Sequence, residues 1–254
     1  MLTFKVITAF ACLFFVVENS HRICCDQLLY GPILIMKDFF YKPIKIQDKE
    51  DNIFFWSDMH LGHRCVHWDN PLYKQRGFNT VEEHDATLVK RWNETVSFDS
   101  IVFNLGDMLF GNNGFQRLIN YFEMLNFKTM YLLFGNHTAG TKQVFESIEG
   151  NVFDVNSEKQ VIFCPNYVEF FINGFPCALS HYAIASFNGQ SKGGFMIHGH
   201  SHGNLYKSEL GKTLYQARII DVGVENCSHP ISFHQIKSKF KDKPVSFDHH
   251  GEGT

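Results

Sequence analysis

The chain has no basic excess, no C-x-x-C pair and no apolar run long enough to cross a bilayer as a helix. Its 254 residues carry 23 Lys and Arg against 26 Asp and Glu, a formal net charge of −3, so composition offers no footprint for wrapping a nucleic-acid backbone. The seven cysteines are odd in number and scattered, which indicates neither a disulfide framework nor a zinc ribbon. Adjacent Cys24 and Cys25 read as a packed or solvated pair. The apolar run Val6 to Val17 behind Lys5 has the charge and length of a signal-peptide n-region and h-region. It falls short of the ~20 residues a span needs, and Glu18 to His21 supply no small-x-small cleavage site. Secretion, a packed N-terminal element and a start at Met36 all remain open. The expected location is cytoplasmic, with secretion through residues 1–20 as the alternative.

With 44% hydrophobic and 15% aromatic residues, the chain can bury one large core. The expected organisation is an N-terminal extension over residues 1–50, one domain over 51–241, and a loosely ordered tail over 242–254 that includes His249 and His250. No internal repeat is visible. Ile53–Trp56, Ile101–Leu105 and Met130–Phe134 read as buried strands, and Phe115–Leu125 as a helix. Another helix should start at Thr80, where T-x-x-E to Glu83 forms a capping box and Val81, Leu88, Val89 and Trp92 share an apolar face. Farther along, strands are expected over Gln160–Cys164, Tyr167–Ile172, Cys177–Leu179, Phe195–Ile197 and Arg218–Val224. Turns fall at Pro165-Asn166, Asn173-Gly174 and Gly193-Gly194. Ile231–Phe240 should close the fold as a terminal helix. This alternation indicates an α/β protein, with a two-sheet β-sandwich flanked by α-helices fitting both halves.

Five short segments each close an apolar run: S-D-M-H-L-G-H at Ser57–His63, L-G-D at Leu105–Asp107, G-N-H at Gly135–His137, S-H at Ser180–His181 and H-G-H-S-H at His198–His202. Carboxylate, amide and imidazole groups at the ends of separate strands suit a metal site built from distant parts of a chain. Oxygen and imidazole ligands without thiolate favour Mn²⁺, Fe or Zn²⁺ over Cu(I). Asp58 and His60 can reach one ion if the strand breaks between them. Asp107, beside Gly106, is the candidate for bridging two ions, and Asn136 would add a neutral oxygen. His181, His200 and His202 complete two partial shells. Two ions about 3.5–4 Å apart share a hydroxide, bring its pKa near neutrality and clamp a phosphoryl group for in-line attack.

In order and content these segments resemble the motif set of the calcineurin-like metallophosphoesterases, D-x-H, G-D, G-N-H, a lone His and G-H-x-H. The resemblance runs from about Ile53 to Phe240 and is nearest to a compact bacterial and phage-type subgroup. Arg76 and Phe78 in Q-R-G-F, Trp92-Asn93, and D-V-G-V-E at Asp221–Glu225 match further features of that subgroup. The resemblance implies a four-layer α/β/β/α fold and two divalent ions, Mn expected, with Fe, Zn or Ni as alternatives. It puts Asp58, His60 and His202 on one ion, Asn136, His181 and His200 on the other, and Asp107 on both. It also implies that His137 protonates the leaving group. The expected activity is hydrolysis of a small phosphomonoester or phosphodiester, nucleotides included. A nuclease of the same superfamily and a non-catalytic scaffold are the alternatives.

Departures narrow this reading. Thr138 stands where the family carries an acid after G-N-H, and Met108-Leu109-Phe110-Gly111 lacks the second Asp and the Arg of Ser/Thr protein phosphatases, which argues against that activity. The lysines at 237, 239, 241 and 243 weakly favour a nuclease, but such a cluster more often marks a solvated face. His63, Arg76 and His198 are candidate substrate contacts: His63 and His198 through phosphate or a ligand carboxylate, Arg76 through its planar fork. Structural hydrogen bonding is the alternative for the two histidines, and a solvated loop position the alternative for Arg76. His67, His84, His229 and His234 read as surface or satisfied core histidines.

Overall fold

The computed structural model describes residues 43–64, 69–110, 114–137 and 151–245. The leader readings, Cys24, Cys25, His67, Thr138 and the His249-His250 tail lie outside the described residues. Among the described residues the strands and α-helices succeed one another as β1 (Ile44–Ile46), β2 (Ile53–Trp56), α1 (Leu72–Gln75), α2 (Val81–Thr95), β3 (Ile101–Asn104), α3 (Gly114–Met124), β4 (Thr129–Leu133), β5 (Val152–Asp154), β6 (Gln160–Cys164), β7 (Tyr167–Ile172), β8 (Phe175–Ser180), β9 (Phe195–His198), α4 (Glu209–Leu214), β10 (Ile219–Asp221), β11 (Ile231–Ser232) and α5 (Phe233–Phe240). They form two mixed sheets, ordered β11-β2-β3-β4-β6-β5 and β1-β7-β8-β9-β10.

The period-two alternation of the strands distributes their side chains between layers. In β2, Phe55 enters the apolar core between the sheets beside Phe103, Val168, Phe170 and Leu179. Its neighbours Phe54 and Trp56 point the other way, onto Leu88, Trp92, Leu118 and Phe122 of α2 and α3. In β9, Phe195 and Ile197 face the core, whereas Met196 packs outward with Ile219 and Tyr215. The result is a mixed α/β sandwich. Aromatic stacking tightens its centre, with the Phe55 and Phe103 rings 5.1 Å apart and Phe103 and Tyr131 4.9 Å apart.

Several expectations are corrected. The fold begins before residue 51, because Ile44–Ile46 pairs in parallel with Phe170–Ile172. Thr80 caps α2 by accepting from the Glu83 amide, but Glu83 reaches past it to the Asn79 amide, so the box is not reciprocal at Thr80. The C-terminal helix starts at Phe233 and not at Ile231; Ile231 and Ser232 instead pair antiparallel with Phe55 and Phe54. Ser232 then forms a true reciprocal box with Gln235. The strand expected over Arg218–Val224 is confined to Ile219–Asp221. Asn173-Gly174 does turn between β7 and β8, both residues with positive φ (48° and 84°), the conformation that a tight hairpin demands. No described helix is long and apolar enough to cross a membrane.

Candidate metal centre

β2, β3 and β4 run parallel in one sheet, and β8 and β9 run parallel in the other. The segments that follow all five therefore leave the sheets at carboxyl ends, where open α/β sheets place their sites. These segments carry Asp58 and His60, Asp107, Asn136 and His137, His181, and His200 and His202. Backbone bonds lace the first two together: the amides of Asp58, His60 and Leu61 donate to the carbonyls of Gly106, Asp107 and Met108.

Among the described residues other than glycine, positive φ is confined to Asp58, His60, Asp107, His200, His202, Asn151 and Asn173. Left-handed backbone is disfavoured for residues with a Cβ and is retained where surrounding structure enforces it. Here five of the seven are expected ligands: Asp58, His60, Asp107, His200 and His202. Close approach explains the neighbouring glycines. A Cβ at Gly199 would lie 2.6 Å from the Asp58 Oδ2, and one at Gly135 would collide with the Asp107 Oδ1.

Asp58, His60 and His202 bring ligand atoms within 4.8 Å of one another, as do Asp58, Asp107 and His181. Asp107 Oδ2 lies 3.3 Å from His181 Nε2 and 3.8 Å from His60 Nε2, while its Oδ1 accepts from the His137 amide at 2.9 Å. Asp58 belongs to both groups, so two carboxylates lie between the histidines where one bridge was expected. Asn136 Oδ1 sits 2.9 Å from both His181 Nε2 and His200 Nδ1. His181 Nδ1 faces the Leu105 carbonyl at 2.8 Å, so it donates there and Nε2 is the nitrogen turned toward the cluster. Asp58 Oδ2 accepts from the His200 amide at 2.8 Å. Its Oδ1 and both ring nitrogens of His60 are buried with no hydrogen-bond partner. Buried polar atoms are almost always paired, so orphaned carboxylate oxygen beside orphaned imidazole is the donor chemistry a divalent cation fits.

Burial dominates the electrostatics. It pushes the Asp58 carboxyl up to about 7 against the pull of His181 and His202, and it drives His60 well below the usual imidazole range. Burial also acts to raise Asp107, but the hydrogen bond and charge of His181 win and hold it at about 2. His202 is raised, its burial outweighed by Glu225.

The three expected substrate contacts separate. His63 is buried 3.9 Å from the Phe110 ring and 5.6 Å from the His60 ring, beside the cluster. Arg76 is a correction. Its side chain is only 6% exposed, and its donors go to Glu225, Met59, His84 and Asp58, leaving no fork for phosphate. His198 is also corrected: buried behind the cluster, it joins the Gly199 carbonyl at 2.8 Å and the Tyr215 hydroxyl at 3.0 Å. His137, Asn136 and His200 are exposed at the rim, with the His137 ring 5.3 Å from His60 and 4.9 Å from Phe110.

Motif reading assigned no role to Glu225, Tyr182 or Phe110. Glu225 Oε1 lies 2.8 Å from His202 Nδ1. The Tyr182 ring, 41% exposed, packs edge-on to His200 at 4.5 Å. Position beside a motif was the sequence signal for Tyr182, and aromatic character after L-G-D-M-L the signal for Phe110. A cleft of about 590 Å³ between α2 and α3 is lined by Gly62, Asp85, Arg117 and Tyr121; none of the expected ligands lines it.

No family model matches the chain. It is 30% identical over 196 residues to the uncharacterized protein MJ1445 of Methanocaldococcus jannaschii, covering 77% of this chain and 87% of that protein. The gene 66 protein of Mycobacterium phage D29 is 23% identical over 207 residues, 75% of this chain and 96% of the phage protein. Among solved structures, the protein of unknown function AQ665 from Aquifex aeolicus superposes with a TM-score of 0.52 at 19% identity, over 73% of this chain and 97% of that one. That likeness shows the fold alone.

Proposed function

We propose that this chain, which belongs to one protein family with MJ1445 of Methanocaldococcus jannaschii, is a metal-dependent phosphoesterase of the calcineurin-like type. The observation that carries the reading is the convergence of the strand-end ligands on orphaned, buried Asp58 and His60 atoms. Asp58, His60 and His202 would hold one ion and Asn136, His181 and His200 the other, with Asp107 between them. Such a pair supplies Lewis acidity to the phosphoryl oxygens and acidifies the attacking water.

The chain's own residues then divide the remaining work. Asp107, kept ionised by His181 and His60, supplies negative charge between the two groups of histidines. His137 is anchored through its amide to Asp107, while its ring stays at the rim, placed to give a proton to the departing oxygen. Phe110, its ring 4.9 Å from that of His137, and Tyr182, edge-on to His200 at 4.5 Å, flank the proposed site and would limit water around the phosphate. The substrate of this reading is a small phosphoester, nucleotides included.

The test is hydrolysis of p-nitrophenyl phosphate beside bis-p-nitrophenyl phosphate, on metal-stripped protein with Mn²⁺, Ni²⁺, Zn²⁺ or Mg²⁺ restored singly. We expect turnover that depends on added metal, lost in Asp107→Asn with the fold intact. His137→Ala should lower kcat by about 10²–10⁴-fold for alkyl phosphates and by less for aryl phosphates, whose leaving groups need less protonation. Bound metal without turnover on any ester would overturn the enzyme in favour of a binding scaffold.

A further inference from the structure

Arg76 is spent on the protein itself, and the places its bonds land are informative. Its Nη2 donates to the Asp58 carbonyl at 2.6 Å and its Nη1 to the Met59 carbonyl at 2.9 Å. These carbonyls belong to the loop on which Asp58 and His60 take left-handed backbone. Its Nε and Nη2 also donate to Glu225 Oε1 at 2.9 and 2.7 Å, the same oxygen that faces His202 Nδ1 at 2.8 Å. One guanidinium thus ties the loop bearing Asp58 and His60 to the carboxylate that fixes the tautomer of His202. The three residues so linked are one of the two groups whose ligand atoms converge.

The guanidinium is itself held from behind. Nη1 lies 2.9 Å from His84 Nε2, and His84 Nδ1 lies 2.8 Å from Asp85 Oδ1. Asp85 Oδ2 accepts from the Gly62 amide and the Tyr121 hydroxyl, each at 2.8 Å. Only the guanidinium side of the Arg76–Glu225 pair is buried, with the carboxylate 23% exposed, so charge attraction alone contributes little and the carbonyl acceptors are the informative feature. Bidentate reach is needed instead, since an ammonium is a point donor and cannot span two carbonyls and a carboxylate from one rigid plane.

We propose that Arg76 and Glu225 are positioning residues for the Asp58–His60–His202 group: Glu225 acts through His202 and Arg76 through the Asp58–Met59 carbonyls, and together they set the affinity of that group for a divalent cation. The inference rests on the metal centre proposed above. Ligand-orienting partners of this kind typically change metal affinity by about 10–100-fold.

Calorimetric titration of the metal-stripped full chain with Mn²⁺ tests it, with melting in chelator to check that each variant is folded. Wild type should bind two ions. Glu225→Ala should weaken one binding phase by about 10–100-fold and leave the other nearly unchanged. Glu225→Gln, whose amide oxygen still accepts from both partners, should recover much of that loss. Arg76→Lys should weaken the same phase by about tenfold, and it carries the test should Glu225→Ala fail to fold. In a His202→Ala background, Glu225→Ala should add little, since the residue through which it acts is gone. Two unchanged phases in both Glu225→Ala and Arg76→Lys, or an equal further loss in the His202→Ala background, would overturn the positioning role alone. Wild-type protein that binds no Mn²⁺ would overturn the metal centre and this inference with it.

Discussion

Burial sets the proton affinity of Asp58, and this gives the metal-free protein a pH dependence of known sign. The carboxyl rises from an unfolded value near 4 to about 7 when folded, so between those values the folded state holds a proton that the unfolded state has released. Its contribution is full below pH ~4 and is lost as pH climbs through about 7. In chelator, Asp58→Asn should therefore melt progressively higher than wild type as pH goes from 5 to 8, by an amount on the order of a few kcal/mol. A difference that stays flat, measured by thermal melts of both proteins across that range, would contradict the burial of a charged Asp58. At this scale the ligands were legible because each motif pairs a ligand residue with a small or turn-forming neighbour. Gly106 and Gly199 lie where a Cβ would crowd His181 and Asp58. Arg76 and His198 were misread because a sequence shows that a donor is near a site but not what has already claimed it.

The elements that position the site owe their ends to capping and their faces to periodicity. Helix α2 buries Val81, Leu88, Val89 and Trp92 on its inner face, and the Trp92 indole donates to the Asn126 carbonyl at 2.8 Å, joining it to the segment before β4. Its start depends on the Thr80 hydroxyl. Thr80→Ala should cost about 1 kcal/mol in chemical denaturation and leave ester hydrolysis unchanged. The longer strands and both long helices could be read from pattern because their apolar spacing is unambiguous. The short pieces could not. Ile44–Ile46 and Ile231–Ser232 carry too few residues for a period to emerge, and they become strands only by pairing with Phe170–Ile172 and with Phe54 and Phe55. Helix α4 depends on the Ser208 cap and on Gly211, which packs directly against the Leu205 carbonyl, a contact fixed by tertiary structure.

For the whole molecule, the arrangement places Asp58, His60, Asp107 and Asn136 after strands of the six-stranded sheet, and His181, His200 and His202 after strands of the five-stranded one. Mn²⁺ at a hundred times its dissociation constant should stabilise the fold by ~2.7 kcal/mol, a rise of about 5–10 °C in Tm for a chain of this size, and chelator should reverse it. Two-layer architecture could be inferred from the alternating strands, but not which sheet each would join. Pro165-Asn166, between β6 and β7, carries the chain from one sheet to the other, and a turn signal does not announce such a crossing. The division has a kinetic consequence. No subset of the proposed ligands from one sheet completes the site, so a cation would find its full shell only after the two layers have docked, late on the folding route. Interactions absent from the transition state slow unfolding and leave refolding almost untouched. In stopped-flow denaturant jumps, saturating Mn²⁺ should therefore shift the unfolding arm of the chevron while the folding arms with and without the ion superimpose. An ion bound there would act as a latch on a finished structure, with the chain finding its topology unaided.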